Sequence, residues 1–176
     1  MQKTEHLKTK DNKPAFLRGL AALLIKLAII ALLGIILLGY VFGLSRNLSL
    51  NMQPAVQDGD LLLYYRIVKD YHAGDIVVIR HEGQDLAVRI IATAGDTVDI
   101  TEQGLLVNGS VAQEPQIPGE TTQFEGGVTF PLTVGRGQVF VLGDNRPHAT
   151  DSRILGCIDE DDVCGRVIGL FRRRNF

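Results

Sequence analysis

Two segments of the 176-residue chain concentrate polar side chains of the kinds used in hydrolytic chemistry. Residues 51–60 read Asn-Met-Gln-Pro-Ala-Val-Gln-Asp-Gly-Asp, and residues 143–153 read Gly-Asp-Asn-Arg-Pro-His-Ala-Thr-Asp-Ser-Arg. Covalent hydrolysis needs a nucleophile and a base beside it, because a hydroxyl is a poor nucleophile at neutral pH. Asn51 carries a carboxamide, which cannot act as an alkoxide. The first segment therefore offers no hydroxyl.

Both segments resemble motifs of the type I signal peptidases. Residues 51–60 resemble the serine-bearing motif Ser-Met-x-Pro-x-(apolar)-x-x-(Gly/Asp)-Asp, and residues 143–153 resemble Gly-Asp-Asn-x-x-x-Ser-x-Asp-Ser-Arg. Residues 88–96 are similar to Lys-Arg-(apolar)-(apolar)-Gly-x-Pro-Gly-Asp, and residues 64–78 are similar to a strand pair of that family. Because the four segments occur in the family's order, the resemblance extends from the N-terminal apolar run to residue 171.

The resemblance implies a catalytic serine and lysine, and both are replaced here. Asn51 stands at the serine position, and Val88 stands at the lysine position before Arg89. A lysine acts as a base only when burial lowers its pKa. Five of the six lysines precede residue 27, and the sixth, Lys69, lies in a polar turn. We therefore predict that the pair of catalytic groups is absent.

Substitute groups for this pair are unfavourably placed. Ser49 is the nearest hydroxyl, but two residues of extended chain separate it from position 51 by about 6–7 Å, too far to replace the nucleophile. His72, His81 and His148 lie in turn-like contexts. No catalytic residue is predicted.

The resemblance also implies structural roles for residues that are retained. The residues matching Asp151 and Arg153 form a charge-assisted pair in the family. Asp144 and Asn145 are expected to fix their turn through bonds from side chain to backbone. Ala149 replaces the family's serine. The predicted structural residues of the former site are Arg89, Asp144, Asn145, Asp151, Ser152 and Arg153.

Signal peptidases hold their substrates extended beside strand edges, and such binding needs main-chain donors and acceptors but no nucleophile. We expect the segments 50–54 and 86–90 to flank a peptide groove here. Burial of each residue in the core is the alternative, since apolar strand residues are often buried. The predicted groove residues are Leu50, Met52, Pro54, Ile76, Val78, Leu86, Val88 and Ile90.

The N-terminal region predicts a membrane anchor. Residues 27–45 contain no charge, and extended back to Gly19 the run is interrupted only by Lys26. About 20 such residues cross a bilayer core of about 30 Å, and the excess of Lys and Arg before the run places the N-terminus in the cytoplasm. A cleaved secretory signal, the alternative, would have a shorter apolar core and a small-x-small site. We predict a cytoplasmic basic tail at 1–18, a transmembrane helix at 19–44 and an extracytoplasmic domain at 45–176.

The region after residue 45 shows no helical period and predicts antiparallel strands. The turn pair Asn108-Gly109 indicates a hairpin, because both residues tolerate positive φ. The fold class is therefore mainly β, a signal-peptidase-like antiparallel β-sheet domain preceded by one N-terminal transmembrane helix. The predicted strands are 60–66, 75–80, 85–92, 97–101, 105–107, 137–142 and 163–171.

Cysteines, metals and charge limit the function further. Cys157 and Cys164 could form a disulfide, which requires Cα atoms within about 7 Å. The alternative, which the sequence favours equally, is two buried free thiols. The acidic run 159–162 lacks the oxygen spacing of a calcium loop, so neither a metal nor another cofactor is predicted. Residues 46–176 carry 12 basic and 18 acidic side chains, which gives no electrostatic reason to bind nucleic acid.

One subgroup of the family carries the same two replacements. Some Gram-positive bacteria encode signal-peptidase-like proteins beside pilin and sortase genes, in which both catalytic positions are replaced, and these proteins are required for pilus assembly. The resemblance implies an inactive, membrane-anchored chaperone or adaptor whose partners are pilin subunits and the pilus sortase. The alternatives are an active signal peptidase of unusual mechanism and a module that binds signal peptides for secretion.

Overall fold

The structure, a computed structural model, describes residues 13–67 and 69–172. The chain divides into two compact units, Met1–Tyr40 and Val41–Phe176. Its helices and strands are α1 Lys13–Val41, β1 Phe42–Arg46, β2 Leu61–Tyr65, β3 Ile76–His81, β4 Gln84–Thr93, β5 Thr97–Thr101, β6 Gly104–Val107, β7 Ser110–Val111, β8 Leu132–Thr133, β9 Gln138–Leu142, α2 Ser152–Leu155, β10 Ile158–Asp159 and β11 Val163–Phe171.

The first unit contains nearly all of α1. Within this helix the 26 residues Phe16–Val41, which include an 18-residue window with a mean hydropathy of 2.9, are long and apolar enough to cross a membrane. They extend over about 39 Å, more than the bilayer core of about 30 Å. Large apolar side chains such as Leu23, Ile29 and Ile36 are exposed along it, as expected of a helix that is apolar all round. Residues 1–12 of the predicted cytoplasmic tail lie outside the described residues.

Both predicted ends of the helix, residues 19 and 44, differ from the structure, in which α1 begins at Lys13, within the predicted tail 1–18. The helix ends at Val41, and residues 42–44 begin β1, which pairs antiparallel with β2. Gly43 faces the ring of Tyr64, and a Cβ at this position would lie 2.6 Å from the Tyr64 hydroxyl oxygen. The uncharged run is therefore longer than the helix, and its last residues form a strand. Glycine at position 43 allows this strand to pack against the Tyr64 ring of β2.

The second unit consists of two antiparallel sheets. The larger has seven strands in the order β1-β2-β11-β3-β4-β9-β10, and the smaller has four in the order β7-β6-β5-β8. The hairpin predicted at Asn108-Gly109 joins β6 to β7, and both residues have positive φ, 52° and 77°. The predicted fold class, mainly β with antiparallel sheets and one apolar N-terminal helix, is confirmed.

β4 lies within the seven-stranded sheet and has two different partner strands. Its first half pairs with β3, from His81 opposite Gln84 to Ile76 opposite Arg89. Its second half, Arg89–Thr93, pairs with β9, with a register shift between Ile90 and Ala92. The strand edge of residues 84–88 on the β9 side therefore has no partner strand among the described residues.

Three apolar clusters fill the unit, on alternating faces of the strands. Val88 and Ile90 lie in the first, with residues of β3, β9 and β11. The second lies between β4, β9 and the four-stranded sheet. Met52 and Val56 lie in the third, with residues of β2 and with Val78 and Ala87. Segment 51–60 is therefore anchored by its own apolar side chains.

Candidate functional site

Asn51 begins a turn that its side chain fastens to segment 143–153. The side chain donates from Nδ2 to the carbonyl oxygen of Thr150 at 3.0 Å and accepts at Oδ1 from the Thr150 amide at 3.3 Å. The backbone carbonyl of Asn51 accepts from the amide of Asn145 at 2.9 Å. Asn145 Nδ2 donates to the carbonyl of Leu50 at 3.1 Å. Both ends of the Asn51 carboxamide are therefore used for structure, and the residue is only 6% exposed.

Gly143 and Ala149 complete the surroundings of Asn51. A Cβ on Gly143 would lie 2.6 Å from the carbonyl oxygen of Asn51 and nearer still to the Cβ of Ala149. Ala149 is itself buried. The position at which the signal peptidase motif has a second serine therefore faces Gly143 with a methyl group, and it adds no hydroxyl.

Val88 occupies a dry environment on β4. Its partner across the strands is Val77, and both side chains are fully buried in the cluster that contains Ile90 and Val141. An unpaired charge in such a place is costly. The position that resembles the family's lysine therefore contributes only packing.

Lys69 does not have the properties of a catalytic base. Its Nζ lies 2.6 Å from Oδ1 of Asp161, and its side chain is 48% exposed. The hydrogen bond to Asp161 raises the pKa of Lys69, whereas a lysine base needs a lowered pKa. The hydroxyl of Ser49 donates to Oδ1 of Asn47, so the nearest serine is also engaged elsewhere.

The retained charged residues form two ion pairs beside Asn51. Arg89 donates from Nε and Nη2 to the two oxygens of Asp144 at 2.8 and 2.6 Å, and this hydrogen bonding raises the pKa of Arg89. Arg153 donates in the same way to Asp151 at 2.9 and 2.8 Å, and neither side chain is more than 1% exposed. Such two-point pairs fix geometry as well as charge.

The same segment fixes its own backbone. Asp151 caps α2 by accepting from the Arg153 amide at 3.1 Å, and its other oxygen accepts from the Gly143 amide at 3.1 Å. Ser152 accepts at Oγ from the amide of Val141. All six residues predicted as structural therefore lie together in one network around the turn of Asn51.

Arg146 was missed as a structural residue by the sequence analysis. It is 1% exposed, donates to the carbonyl of Gly143 at 3.0 Å and to Glu114 at 2.5 Å, and contacts the hydroxyl of Thr121. Arg146 stands at an unspecified position of the motif, so the sequence gives no signal for this role. Its contacts fasten the loop after β7 to segment 143–153.

The predicted peptide groove is largely wrong in its residues. Met52, Val88 and Ile90 are fully buried and Val78 is 1% exposed, so these four are core residues and cannot line an open groove. Ile76 and Leu86 are half-buried, and only Leu50 and Pro54 are exposed. Both faces of this part of the sheet are covered, which removes the outward-facing positions that alternation would otherwise provide.

The structure has a cleft next to these residues, with a volume of about 550 Å³. One side is β1, which pairs with β2 alone within the described part of the chain. The other side is the β3–β4 hairpin, in which residues 84–88 of β4 pair only with β3. An unpaired edge presents backbone donors and acceptors to an added strand. The cleft residues are Ser45, Arg46, Leu48, Arg80, Gly83, Gln84 and Asp85.

Comparison with known proteins agrees with the motifs. The family described as signal peptidase, peptidase S26, matches residues 20–171. The chain belongs to this family. It is 35% identical over 127 residues to signal peptidase I of Bacillus licheniformis, covering 65% of this chain and 68% of the relative. It is 33% identical over 126 residues to signal peptidase I U of Bacillus subtilis strain 168, covering 65% and 67%.

Two further relatives extend the comparison. Signal peptidase IB of Staphylococcus aureus strain Mu50 is 30% identical over 135 residues, covering 66% of this chain and 71% of the relative. A crystal structure of a signal peptidase I from Enterococcus faecalis V583 is 32% identical, with a TM-score of 0.47, and the match covers 56% of this chain and 97% of that one. The family match and the identities with the Bacillus and Staphylococcus proteins make this chain a signal peptidase I-like protein.

Arg172 links this signal peptidase domain's C-terminal strand to segment 51–60. It donates from Nη2 to Oδ2 of Asp60 at 2.8 Å and from Nε to both carboxylate oxygens, and it also donates to the carbonyl of Ala55. Arg172 thereby lowers the pKa of the buried Asp60 carboxyl. Sequence analysis could not predict this contact from the basic residues that follow residue 171, because the two partners are 112 positions apart.

The cysteines are free thiols in separate places. Cys157 packs against the second apolar cluster, and Cys164 packs against the third. Burial raises the pKa of both thiols. Among residues 13–67 and 69–172, no group of three His, Cys, Asp or Glu side chains is arranged to hold a metal.

Proposed function

We propose that this signal peptidase I-like protein binds extended polypeptide without cleaving it. The observation that carries the proposal is the engagement of the Asn51 carboxamide by the Thr150 backbone, at the place where the family motif has its nucleophile. Val88 and Ala149 are buried apolar residues at two other positions where the motifs have a lysine and a serine. At these three positions neither a hydroxyl nor an amine is present to form and resolve an acyl-enzyme.

Binding can survive the loss of these groups because it uses a different part of the domain. A peptide added to an unpaired strand edge is held by main-chain hydrogen bonds, and its alternate side chains enter adjoining pockets. The cleft between β1 and β4 offers two such edges. The intact ion pairs Arg89–Asp144 and Arg153–Asp151 keep the neighbouring turn in place.

The bound polypeptides in this proposal are pilin subunits, which the protein, anchored by α1 with its β domain outside the cell, presents to the pilus sortase. The support is the resemblance to signal-peptidase-like proteins of pilus loci, which share the double replacement at positions 51 and 88. An apolar helix such as Phe16–Val41 suits an anchor at the membrane where secreted subunits emerge.

The test of catalysis uses the full chain in lipid nanodiscs and a preprotein whose signal sequence ends in Ala-x-Ala. We expect saturable binding of a labelled peptide from this region and no cleavage over a time in which signal peptidase I of Bacillus licheniformis cuts all of the substrate. Turnover by homogeneous protein that is abolished by a single replacement, such as Ser49→Ala, would overturn the proposal.

An active peptidase of unusual mechanism is the second candidate, favoured by the names of the relatives, which are signal peptidases. Cleavage of the preprotein by the homogeneous full chain separates the two candidates directly. For the pilus role, deletion of the gene in its own cell should abolish the ladder of polymerised pilin on an immunoblot, and the wild-type gene should restore it. An unchanged ladder would contradict the pilus role and leave polypeptide binding to be judged by the nanodisc experiment.

A further inference from the structure

The cleft between β1 and β4 differs in charge from the domain around it. Residues 46–176 carry 12 basic and 18 acidic side chains, whereas the residues that line the cleft include two arginines, Arg46 and Arg80, and one carboxylate, Asp85. A local excess of positive charge on an acidic domain favours a ligand that brings negative charge to that place.

Neither guanidinium is fully used by the protein itself. Arg80 Nε lies 2.7 Å from Oδ1 of Asp85 in an ion pair, and the Arg80 side chain remains 53% exposed. Its Nη2 has a weak contact, 3.9 Å, with the sulfur of Cys164. Arg46 forms no ion pair with a carboxylate of the described residues, and its Nη2 lies 3.7 Å from the position of a Cβ on Gly59. Both guanidinium groups therefore have donors left for a ligand.

If a bound peptide made only backbone hydrogen bonds, the free N–H groups of Arg46 and Arg80 would remain hydrogen-bonded to water. A strand added to β1 or β4 would direct alternate side chains to the same side, about 6.6 Å apart along the peptide. A carboxylate at one such position can accept two parallel hydrogen bonds from an arginine, whereas a carboxamide or a small apolar side chain cannot. Specificity would then come from one side chain, and affinity from the backbone.

We propose, resting on the binding function above, that the polypeptide held in this cleft carries an acidic side chain that pairs with Arg46 and Arg80. The ligand class is an extended acidic peptide. The exposed Leu48 beside Arg46 adds an apolar contact next to the charged position. Asp85 competes with the ligand for Arg80 and thereby limits the affinity.

The experiment measures fluorescence anisotropy of labelled eight-residue peptides with the full chain in nanodiscs of neutral lipid. In one set a single Glu occupies each position in turn on an alanine-rich background, and a matched set has Gln instead. We expect one register at which the Glu peptide binds about five- to ten-fold more tightly than its Gln partner. The preference should shrink in 0.5 M salt, because exposed charges are screened.

Substitutions in the cleft test which residues cause the preference for Glu over Gln peptides. Arg46→Gln and Arg80→Gln should each remove most of the difference between Glu and Gln peptides, and Arg46→Lys should retain part of it. Asp85→Asn should strengthen binding of the Glu peptide. The matched control Arg136→Gln changes an exposed arginine in the turn before β9 and should leave the preference unchanged. Thermal unfolding of each variant checks that the fold is kept.

The outcomes separate this inference from the proposed function. Equal affinity for Glu and Gln peptides at every position overturns the acidic specificity and leaves strand binding intact. A preference that persists in the double variant Arg46→Gln, Arg80→Gln also overturns it. Failure of all peptides to bind overturns the binding function itself.

Discussion

Two groups of arginines in the β domain differ in how completely their donors are used. Arg146 and Arg153 are 1% exposed, and their guanidinium groups meet carboxylates, carbonyls and, for Arg153, the face of the Phe124 ring at 4.4 Å. Arg46 and Arg80 lie at the cleft, exposed and with donors left over. The first group holds the structure together, and the second is available to a ligand.

The difference separates the part of the scaffold that holds the turn at residue 51 from the part that faces the cleft. The buried arginines and their partners support the turn at residue 51 whether a serine or an asparagine stands there. Asn51 even adds hydrogen bonds of its own to Thr150. The turn at residue 51 is therefore held by side-chain and backbone hydrogen bonds that need no catalytic group.

Breaking the buried group should have the largest effect. Asp151→Asn removes the partner of Arg153 and leaves a buried, uncompensated guanidinium, which lowers the free energy of unfolding by about 3–5 kcal/mol. Chemical denaturation of the full chain followed by circular dichroism measures this. Asp161→Asn, which removes the exposed partner of Lys69, is the matched control and should leave the midpoint nearly unchanged. Similar losses of unfolding free energy in Asp151→Asn and Asp161→Asn would contradict the distinction between buried and exposed ion pairs.

Val88→Lys adds a buried cation. Unlike the buried arginines it has no carboxylate partner, and unlike the cleft arginines it has no contact with solvent. Burial without a partner lowers the pKa of such an amine, and we expect a loss of about 3 kcal/mol relative to Val88→Met, which fills similar space without charge. Urea unfolding at neutral and high pH measures it, and the loss should diminish as the amine becomes neutral. A stable variant whose amine keeps an ordinary pKa would show that position 88 is not dry.

The double variant Asn51→Ser, Val88→Lys asks whether the scaffold can still support the chemistry. The serine would place a hydroxyl in the turn held by Asn145, and the lysine would supply a base of lowered pKa. We expect slow cleavage of an Ala-x-Ala preprotein, at most a small fraction of the rate of a signal peptidase I, detected by mass spectrometry. Neither single variant should cleave. A folded double variant with a peptide-binding affinity equal to wild type and no cleavage would show that position 149 or the turn must also change.

Gly143→Ala tests how closely the turn of Asn51 packs. The added Cβ would meet the carbonyl oxygen of Asn51 at 2.6 Å and the Cβ of Ala149, so we expect a loss of about 1–3 kcal/mol from overpacking. Ala149→Gly in the same chain should recover part of this loss, because one of the two contacts is relieved. Additive effects of the two changes would mean that Gly143 and Ala149 are not in contact.

Local sequence patterns predicted most strands because these depend on alternation, whereas the pair of Asp151 and Arg153 was implied by the resemblance to signal peptidases. β1 was missed since its residues continue an uncharged apolar run, and only pairing with β2 distinguishes it from the helix. The groove residues were wrong because both faces of β4 near Val88 are covered. Which strand edges stay unpaired is decided by the order of the sheet, which a single sequence does not encode locally.

Arg172 lies between the two groups of arginines, since it is 41% exposed but bonded to the buried Asp60. Its hydrogen bonds lower the pKa of Asp60 below the ordinary value of 3.8. The pair therefore contributes stability above that pH, and the contribution is lost as pH falls through the lowered pKa. We expect Arg172→Gln to lower the thermal midpoint slightly at pH 7, with the difference from wild type vanishing below the folded-state pKa. Arg136→Gln should show no such pH dependence, and a difference between Arg172→Gln and wild type that does not shrink as pH falls below 3.8 would mean that Arg172 acts through packing and not through its charge.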